Sequence, residues 1–302
     1  MKRELSILIP VYNTVCTSIV GILLQQCQHL ADESGSFDYE ILVADDGSSQ
    51  QSCIEANRAI NKLPHCQLIE KKENTGSAAT RNFLAGKSHY QWLLFLDSDM
   101  DIISPNFIAD YMKHEGRGVI NGGIRIGDGS PSNLRFLYEK HSEPKHTAEK
   151  RSQKPYHYFR STNFMIERQL MLSCPFDERF KKSGYEDVLF GKQLKQRRAP
   201  ISHIENPTLM TDFEPNPNYV TKIERSLRTL YQFRNELQGF SQILTFDKGI
   251  HLSIVRNTLI LCHKTFGKLA RRNLCGNHPN LQIFNLYRLG YYLSLTKNNS
   301  QL

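Results

Sequence analysis

The sequence predicts an α/β protein, a doubly wound and mostly parallel sheet with a helical C-terminal appendage. Three observations carry this. Short apolar runs alternate with helix-patterned segments over the first hundred residues. Each of the strongest apolar runs ends in polar or acidic residues rather than in a tight hairpin turn. From Tyr219 onward the strand rhythm stops and the pattern turns helical. The division that follows is a domain over residues 1–218, with halves at about 1–101 and 102–218, and a helical region over 219–302.

Taken in order, Leu5-Ser6-Ile7-Leu8-Ile9 reads as a buried parallel strand stopped by Pro10. Thr17 to Leu30 has helical spacing through Ile19, Ile22, Leu23 and Leu30. A turn-rich patch leads to a second strand, Tyr39 to Ala44, which ends at Asp45-Asp46-Gly47-Ser48-Ser49. A helix from Gln51 to Leu63 and a short strand from Gln67 to Glu70 follow. Asn74-Thr75-Gly76-Ser77 opens a helix through about Ala85. Trp92-Leu93-Leu94-Phe95-Leu96 is a strongly apolar strand ending at Asp97-Ser98-Asp99. Between Gly127 and Arg160 the pattern dissolves into Lys, His, Ser and Pro, which reads as a mobile loop region with one short helix. Order returns at Ser161 to Ile166, and a helix is predicted from Glu186 to about Gln196.

Composition narrows the classes. Hydrophobic residues make up 39% and charged residues 23%, enough for a core and unlike a disordered chain. Seven cysteines, an odd number without a CxxC pair, argue against a disulfide framework or a zinc site. They read as free thiols. The N-terminus runs directly into a strand, and no apolar stretch approaches the ~20 residues of a membrane span. The expected location is the cytoplasm, with the inner membrane face as a variant of it. Charge is lopsided: residues 221–302 hold twelve Lys/Arg and three Asp/Glu, whereas the whole chain is +8. A basic tail meets anionic lipid, an anionic substrate or nucleic acid, or is simply a solvated face.

In an open α/β sheet, ligands bind beyond the carboxyl ends of the strands. The strand ends Pro10-Val11-Tyr12-Asn13, Asp45-Asp46 and Asp97-Ser98-Asp99 should therefore meet in one cleft. One strand-end carboxylate is as often a helix cap as a functional group; three polar ends in register are harder to dismiss. In an extended chain, Asp97 and Asp99 would face the same side and repel unless a cation sits between them. Oxygen donors of this kind suit Mg²⁺ or Mn²⁺, often shared with phosphate oxygens. There is no Walker glycine loop and no GxGxxG after the first strand, which leaves metal-bridged diphosphate as the best use of the cleft. Glu186 and Asp187 open a helix, where the dipole alone would favour them by ~0.3–1 kcal/mol. The functional alternative is a general base for an acceptor hydroxyl.

As a set, these residues resemble the family 2 inverting glycosyltransferases, which have the GT-A fold. The opening Ser6-Ile7-Leu8-Ile9-Pro10-Val11-Tyr12-Asn13 is similar to that family's first strand, and Val43-Ala44-Asp45-Asp46-Gly47-Ser48-Ser49 to its base-binding acidic motif. Asn74-Thr75-Gly76 with Ala79-Thr80-Arg81-Asn82 resembles its N-x-G…A-R-N segment. Phe95-Leu96-Asp97-Ser98-Asp99 resembles its DxD, and Tyr185-Glu186-Asp187 its ED motif. The resemblance covers about residues 4 to 214. It implies a nucleotide-sugar half followed by an acceptor half. Pro10, Tyr12 and Asn13 would line the nucleotide pocket, with Asn74, Gly76 and Ser98 in the surrounding donor-site motifs. Asp45 would accept a hydrogen bond from the base, with Asp46 near the same nucleoside. Arg81 would sit near the diphosphate or sugar. Asp97 would contact ribose or the metal's water shell, and Asp99 would ligate Mn²⁺ or Mg²⁺. Asp187 would be the base and Glu186 would hold an acceptor hydroxyl.

The chain departs from the family in one place. Many relatives carry a metal-ligating His a few residues after an Asn-Pro; here Asn206-Pro207 leads to Met210 at that position. A thioether suits neither ion. Asp212, His203 or water are the alternatives for the third ligand.

The expected reaction is a single displacement with inversion, from a UDP-sugar by family frequency, onto a glycan or lipid-linked glycan. A nucleotidyltransferase is the nearest rival, but such enzymes carry a Gly-rich loop where Pro10-Val11-Tyr12-Asn13 stands here. A catalytically dead relative would have lost one of the carboxylate motifs, and both are intact. A nucleic-acid-binding protein would rest on Lys264, Lys268, Arg271 and Arg272 alone. His251 to Leu274 mixes such residues with Leu259-Ile260-Leu261, as an interfacial helix does, so peripheral membrane contact is expected ahead of nucleic acid.

Overall fold

The computed structural model describes residues 2–181, 184–250 and 252–298. Its strands are β1 (Glu4–Val11), β2 (Asp38–Asp45), β3 (Cys66–Glu70), β4 (Trp92–Leu96), β5 (Asp101–Ile102), β6 (Val119–Asn121), β7 (Ile124–Ile126), β8 (Asn163–Glu167), β9 (Ile201–His203) and β10 (Thr208–Met210). The helices of the first two hundred residues are α1 (Thr17–Ser34), α2 (Gln51–Asn57), α3 (Ser77–Lys87), α4 (Phe107–Lys113), α5 (Leu134–Ser142), α6 (Ala148–Gln153), α7 (Arg168–Ser173) and α8 (Glu186–Gln196). Four more follow: α9 (Asn216–Gln232), α10 (Gln242–Gly249), α11 (Ser253–Cys275) and α12 (Leu281–Asn298).

Seven strands form one sheet in the order β3-β2-β1-β4-β8-β6-β9. Only β8 runs against its neighbours, so the sheet is mostly parallel, as the sequence predicts. Alternation along β1 explains the two layers that cover it. Leu5, Ile7 and Ile9 pack with Val20, Leu23 and Cys27 of α1 and with Phe107 and Tyr111 of α4. Leu8 points the other way, to Leu84 of α3, Met171 of α7 and Phe190 of α8. Each fully buried large aliphatic side chain contributes ~1.5–3 kcal/mol of transfer free energy.

The strand order reverses at β1, with β2 and β3 on one side and β4 on the other. This is the switch point at which an open sheet leaves a crevice. Pro10 does not end β1, contrary to the sequence reading; the strand runs on to Val11 and pairs there with β2 only. The ladder to β4 stops at Leu8, so the missing Pro10 N–H interrupts no second ladder. The helix expected from Gln51 to Leu63 is α-helical only to Asn57 and tightens to a 3₁₀ turn over Arg58–Lys62.

The largest correction falls between Gly127 and Arg160. The stretch is not a mobile loop: it folds into α5, a 3₁₀ turn at Glu143–Lys145 and α6. Asn133 and Thr147 cap the two helices, their side chains accepting from the N–H groups of Phe136 and Lys150. Arg151 then fixes α6, donating to the backbone carbonyls of Asn121, Gly122 and Ile204 at 3.0, 3.2 and 2.8 Å. A second, small sheet, β5-β10-β7, ties the segment after Asp99 to that after Asn206.

The C-terminal helices follow as expected. The position proposed as a boundary, 218, lies inside α9, which starts at Asn216. Leu227, Leu230, Phe233 and Tyr292 share a core with Phe180 and Leu189 of the α8 region, and Tyr219 and Phe284 cover Leu134 of α5. His251, the first residue of the proposed interfacial segment, lies outside the described residues, as do 299–302 of the C-terminal region. All seven cysteines are free.

Candidate active site

The strand-end loops converge at the switch point. Asp45 closes β2, buried, with one oxygen accepting the Ser48 N–H at 2.7 Å. Its other oxygen, Oδ2, is buried and has no partner among the described residues. An unsatisfied buried carboxylate oxygen is costly unless a donor arrives, so the geometry suits an incoming N–H or O–H. Tyr12, just past the end of β1, is 47% exposed. Pro10 is in β1, in register with Ala44 of β2.

Asn13 and Asp46 each tie two loops of the site together. Asn13, in the left-handed region at φ 52°, accepts the N–H groups of Ser49 and Gln50 at 2.8 and 3.0 Å. It clips the β1 loop to the start of α2. Asp46 is buried and spent on the next loop. It takes Lys71 Nζ at 2.6 Å, Thr75 N at 3.0 Å and Gly76 N at 2.8 Å. Burial works against its charge, but Lys71 and the Thr75, Thr80 and Gly76 donors prevail and hold its carboxyl below the usual range. Gly76 has φ 92°, and a Cβ there would lie 2.8 Å from the Lys181 carbonyl oxygen, so only glycine passes. Asn74, beside it, is exposed.

Arg81 is the hub. It is buried on α3 and donates from Nη2 to Asp97 at 2.6 Å, while Nη1 stands 3.8 Å from Glu186. Its Nε and Nη1 have no hydrogen-bond partner among the described residues. One guanidinium thus joins the DxD turn to the ED helix. Asp97-Ser98-Asp99 is a turn, not the extended pair predicted. Asp97 is committed to Arg81, and the partly exposed Ser98 separates it from Asp99. Asp99 is open to solvent, and no basic group of the described residues lies within ion-pair distance. Protein crowds it nonetheless. That desolvation, then the Asp97 charge, raises its carboxyl above the usual range.

Glu186 and Asp187 start α8 after two residues of positive φ, Gly184 at 114° and Tyr185 at 71°. A Cβ on Gly184 would meet Ser226 Oγ of α9 at 2.5 Å, so the C-terminal region presses directly on this turn. Glu186 accepts from Ser77 Oγ at 3.2 Å and from the Gly184 N–H at 2.9 Å, besides facing Arg81. These contacts hold the turn in place. Among the described residues, Asp187 accepts only the Val188 N–H, at 2.8 Å. Burial, then the neighbouring Glu186, pushes its carboxyl up to about 7, and Arg160 and Arg81 pull the other way. Arg160, Glu139 and Arg135 around this side were missed, because they belong to the stretch read as a loop. Arg160 pairs with Glu139 at 3.4 Å, and Arg135 with Glu214 at 3.7 Å.

Neither named protein alternative for a third metal ligand is built into a metal site. His203 lies on β9, its ring nitrogens taken by Arg151 at 2.9 Å and the Pro155 carbonyl at 2.9 Å. Burial, with the Arg151 charge, pushes its imidazole down to about 4 against the opposing pull of the Pro155 carbonyl. Met210 is buried with Met100 and Ile126. Asp212 is exposed, just past the Thr211 hydroxyl that donates to Asp101 at 2.6 Å. Among the described residues no three His, Cys, Asp or Glu gather as a metal cage. The donor set fits an ion held by Asp99, water and ligand oxygens, which is how Mg²⁺-type ions are commonly bound.

This is a GT-A architecture with its DxD and ED elements on one cleft. Residues 6–174 match the model of Glycosyl transferase family 2, and the chain belongs to that family. Two relatives are similar over part of their length. One is an uncharacterised glycosyltransferase of Haemophilus influenzae, 35% identical over 95 residues, 32% of this chain and 36% of that protein. The other is a chondroitin synthase of Escherichia coli, 33% identical over 110 residues, 36% of this chain and 15% of that one. The matches thus span about a third or less of either relative. Among solved structures, the mannosyltransferase PcManGT of Pyrobaculum calidifontis, in complex with GDP-Man and Mn²⁺, superposes with a TM-score of 0.60. It is 15% identical, and the match covers 99% of this chain and 87% of that one. Residues 1–349 of S. aureus TarS in complex with UDP-GlcNAc give 0.52 at 15% identity, covering 99% and 92%.

Proposed function

We propose that the protein transfers a sugar from a nucleotide-diphosphate sugar, with a UDP-sugar as first choice, to a hydroxyl of a glycan or lipid-linked glycan, with inversion. The observation that carries this reading is Arg81 linking Asp97 to Glu186. It brings the DxD turn and the ED helix to one guanidinium, which supports reading them as the donor and acceptor sides of one site.

In this reading, Asp45 Oδ2 accepts from the base and Tyr12 covers it. Asp99 holds a divalent ion, Mn²⁺ or Mg²⁺, which when bound offsets charge on the nucleoside diphosphate. Arg81 adds a buried positive charge behind Asp97. Asp187 takes the proton of the acceptor hydroxyl as that oxygen attacks the anomeric carbon and the bond to the diphosphate breaks. A carboxyl raised towards neutrality is a stronger base than a free aspartate yet still ionised in a useful fraction at pH 7. Glu186 keeps Asp187 in place by tying the start of α8 to Ser77 and Arg81. Support for the donor class comes from the family and from the nucleotide sugars held by the PcManGT and TarS structures.

The direct test is hydrolysis and transfer assayed with a panel of nucleotide sugars and glycan acceptors, the product followed by NMR. An anomeric configuration opposite to the donor's supports the reading. A retained configuration would exclude single displacement.

A further inference from the structure

The outer face of α11 has no function in the reaction above. Along it Ile254 (77% exposed), Leu261 (64%), Phe266 (59%) and Leu269 (66%) stand open to solvent. Phe266 and Leu269, with Ile283 and Leu286 of α12, border a recess of about 790 Å³ between the two helices. Such an apolar row is larger than the scattered hydrophobics of an ordinary surface.

The charge around it is one-signed. From Ser253 to Asn298 there are seven Lys/Arg and no Asp or Glu. Arg271 is held by Glu224 of α9 at 2.9 Å and Arg256 by Asp247 of α10 at 2.9 Å. Lys264, Lys268 and Arg272 are exposed beside the apolar row, and none pairs with a carboxylate among the described residues. At 100° per residue, Lys268 and Arg272 fall on the same side of the helix as Leu261.

We infer that this face seats the protein on an anionic lipid surface, with Leu261, Phe266 and Leu269 entering the acyl boundary and Lys264, Lys268 and Arg272 meeting the headgroups. Charge complementarity selects this occupant. A second copy would set two purely basic faces against each other, which costs rather than stabilises. A bare polyanion would leave the apolar row in water. No described helix is long and apolar enough to cross a membrane, so the contact is peripheral. The inference stands apart from the catalytic reading and can fail alone.

The test is co-sedimentation of the full chain with vesicles of phosphatidylcholine alone or with 30% phosphatidylglycerol, the composition being our choice of probe. Binding is expected to the anionic vesicles only and to weaken in high salt. Each headgroup-facing charge is worth about fivefold, so K264Q/K268Q/R272Q should weaken partitioning roughly 100-fold. L261E/F266E should abolish it, while both variants keep the wild-type melting temperature because all five positions are exposed. Wild type left in the supernatant with anionic vesicles overturns the inference. So does an L261E/F266E variant that binds like wild type, or a dimer in sedimentation velocity that these two glutamates dissolve.

Discussion

At the scale of single residues, the two carboxylates of greatest interest are perturbed in opposite directions, and the signs give different predictions. Asp46 has a folded pKa below its unfolded value of about 3.9. Its stabilisation is therefore full above that value and lost as pH falls through the folded pKa. Asp46→Asn should cost roughly 3 kcal/mol at pH 7, because Lys71 is left buried without its partner. The gap between variant and wild type in urea midpoint should close as pH falls through the lowered folded pKa of Asp46; a gap that stays constant contradicts the assignment. Asp187 is raised, so between its unfolded pKa and about 7 the folded state binds the extra proton and stability falls as pH rises. Asp187→Asn should therefore raise Tm at pH 8 while lowering kcat ~10²–10⁴-fold. The same group predicts an acid limb near pH 7 in the kcat/KM profile, lost in the variant's residual activity. Arg81→Ala should cost roughly 3 kcal/mol, since it strands Glu186 and Asp97 at once. Chemical denaturation measures that cost directly.

At the scale of elements, the parallel strands were legible because their signal is local. Leu5 to Ile9, Tyr39 to Ala44 and Trp92 to Leu96 are apolar runs with polar ends, and such runs become strands wherever both faces are covered. The helix α8 was legible too: it was expected from near Glu186 to about Gln196 and spans Glu186–Gln196. The stretch holding α5 and α6 was not. Those helices are short and half polar, and what orders them is tertiary: Asn216 Oδ1 accepting the Leu134 N–H at 2.7 Å, and Arg151 reaching three carbonyls across the chain. The site divided in the same way. Asp45, Asp97, Asp99 and Asp187 were visible as residue types at strand and helix ends. The work of Asn13, Asp46 and Glu186 was not, because hydrogen-bond partners 25 to 109 residues away help decide it. Nor does spacing reveal that β9 carries His203 to Arg151 instead of to Asp99. The tight entry to α8 yields its own expectation. Gly184→Ala forces a Cβ to within 2.5 Å of Ser226 Oγ at a φ of 114°, so it should lower Tm and kcat together.

At the scale of the whole molecule, the C-terminal helices are part of the catalytic body. Leu134, Phe180 and Leu189 are buried by α9, α11 and α12, and Arg288 of α12 donates to Tyr138 of α5 at 3.1 Å. A chain cut after Pro215 should consequently lose cooperative unfolding and not merely membrane affinity; a sharp, unshifted melt would refute that integration. The catalytic account rests above all on Asp99 and the ledge at Asp45 forming one nucleotide-diphosphate site. The most direct measurement is thermal unfolding with UDP, GDP, CDP and dTDP, each with and without Mn²⁺, on wild type and Asp99→Asn. A ligand at ~100 times its Kd adds about 2.7 kcal/mol, a rise of several degrees. The account predicts that one nucleotide gives this rise, only with the metal, and only in wild type. No shift with any nucleotide, or an equal shift in Asp99→Asn, would contradict it.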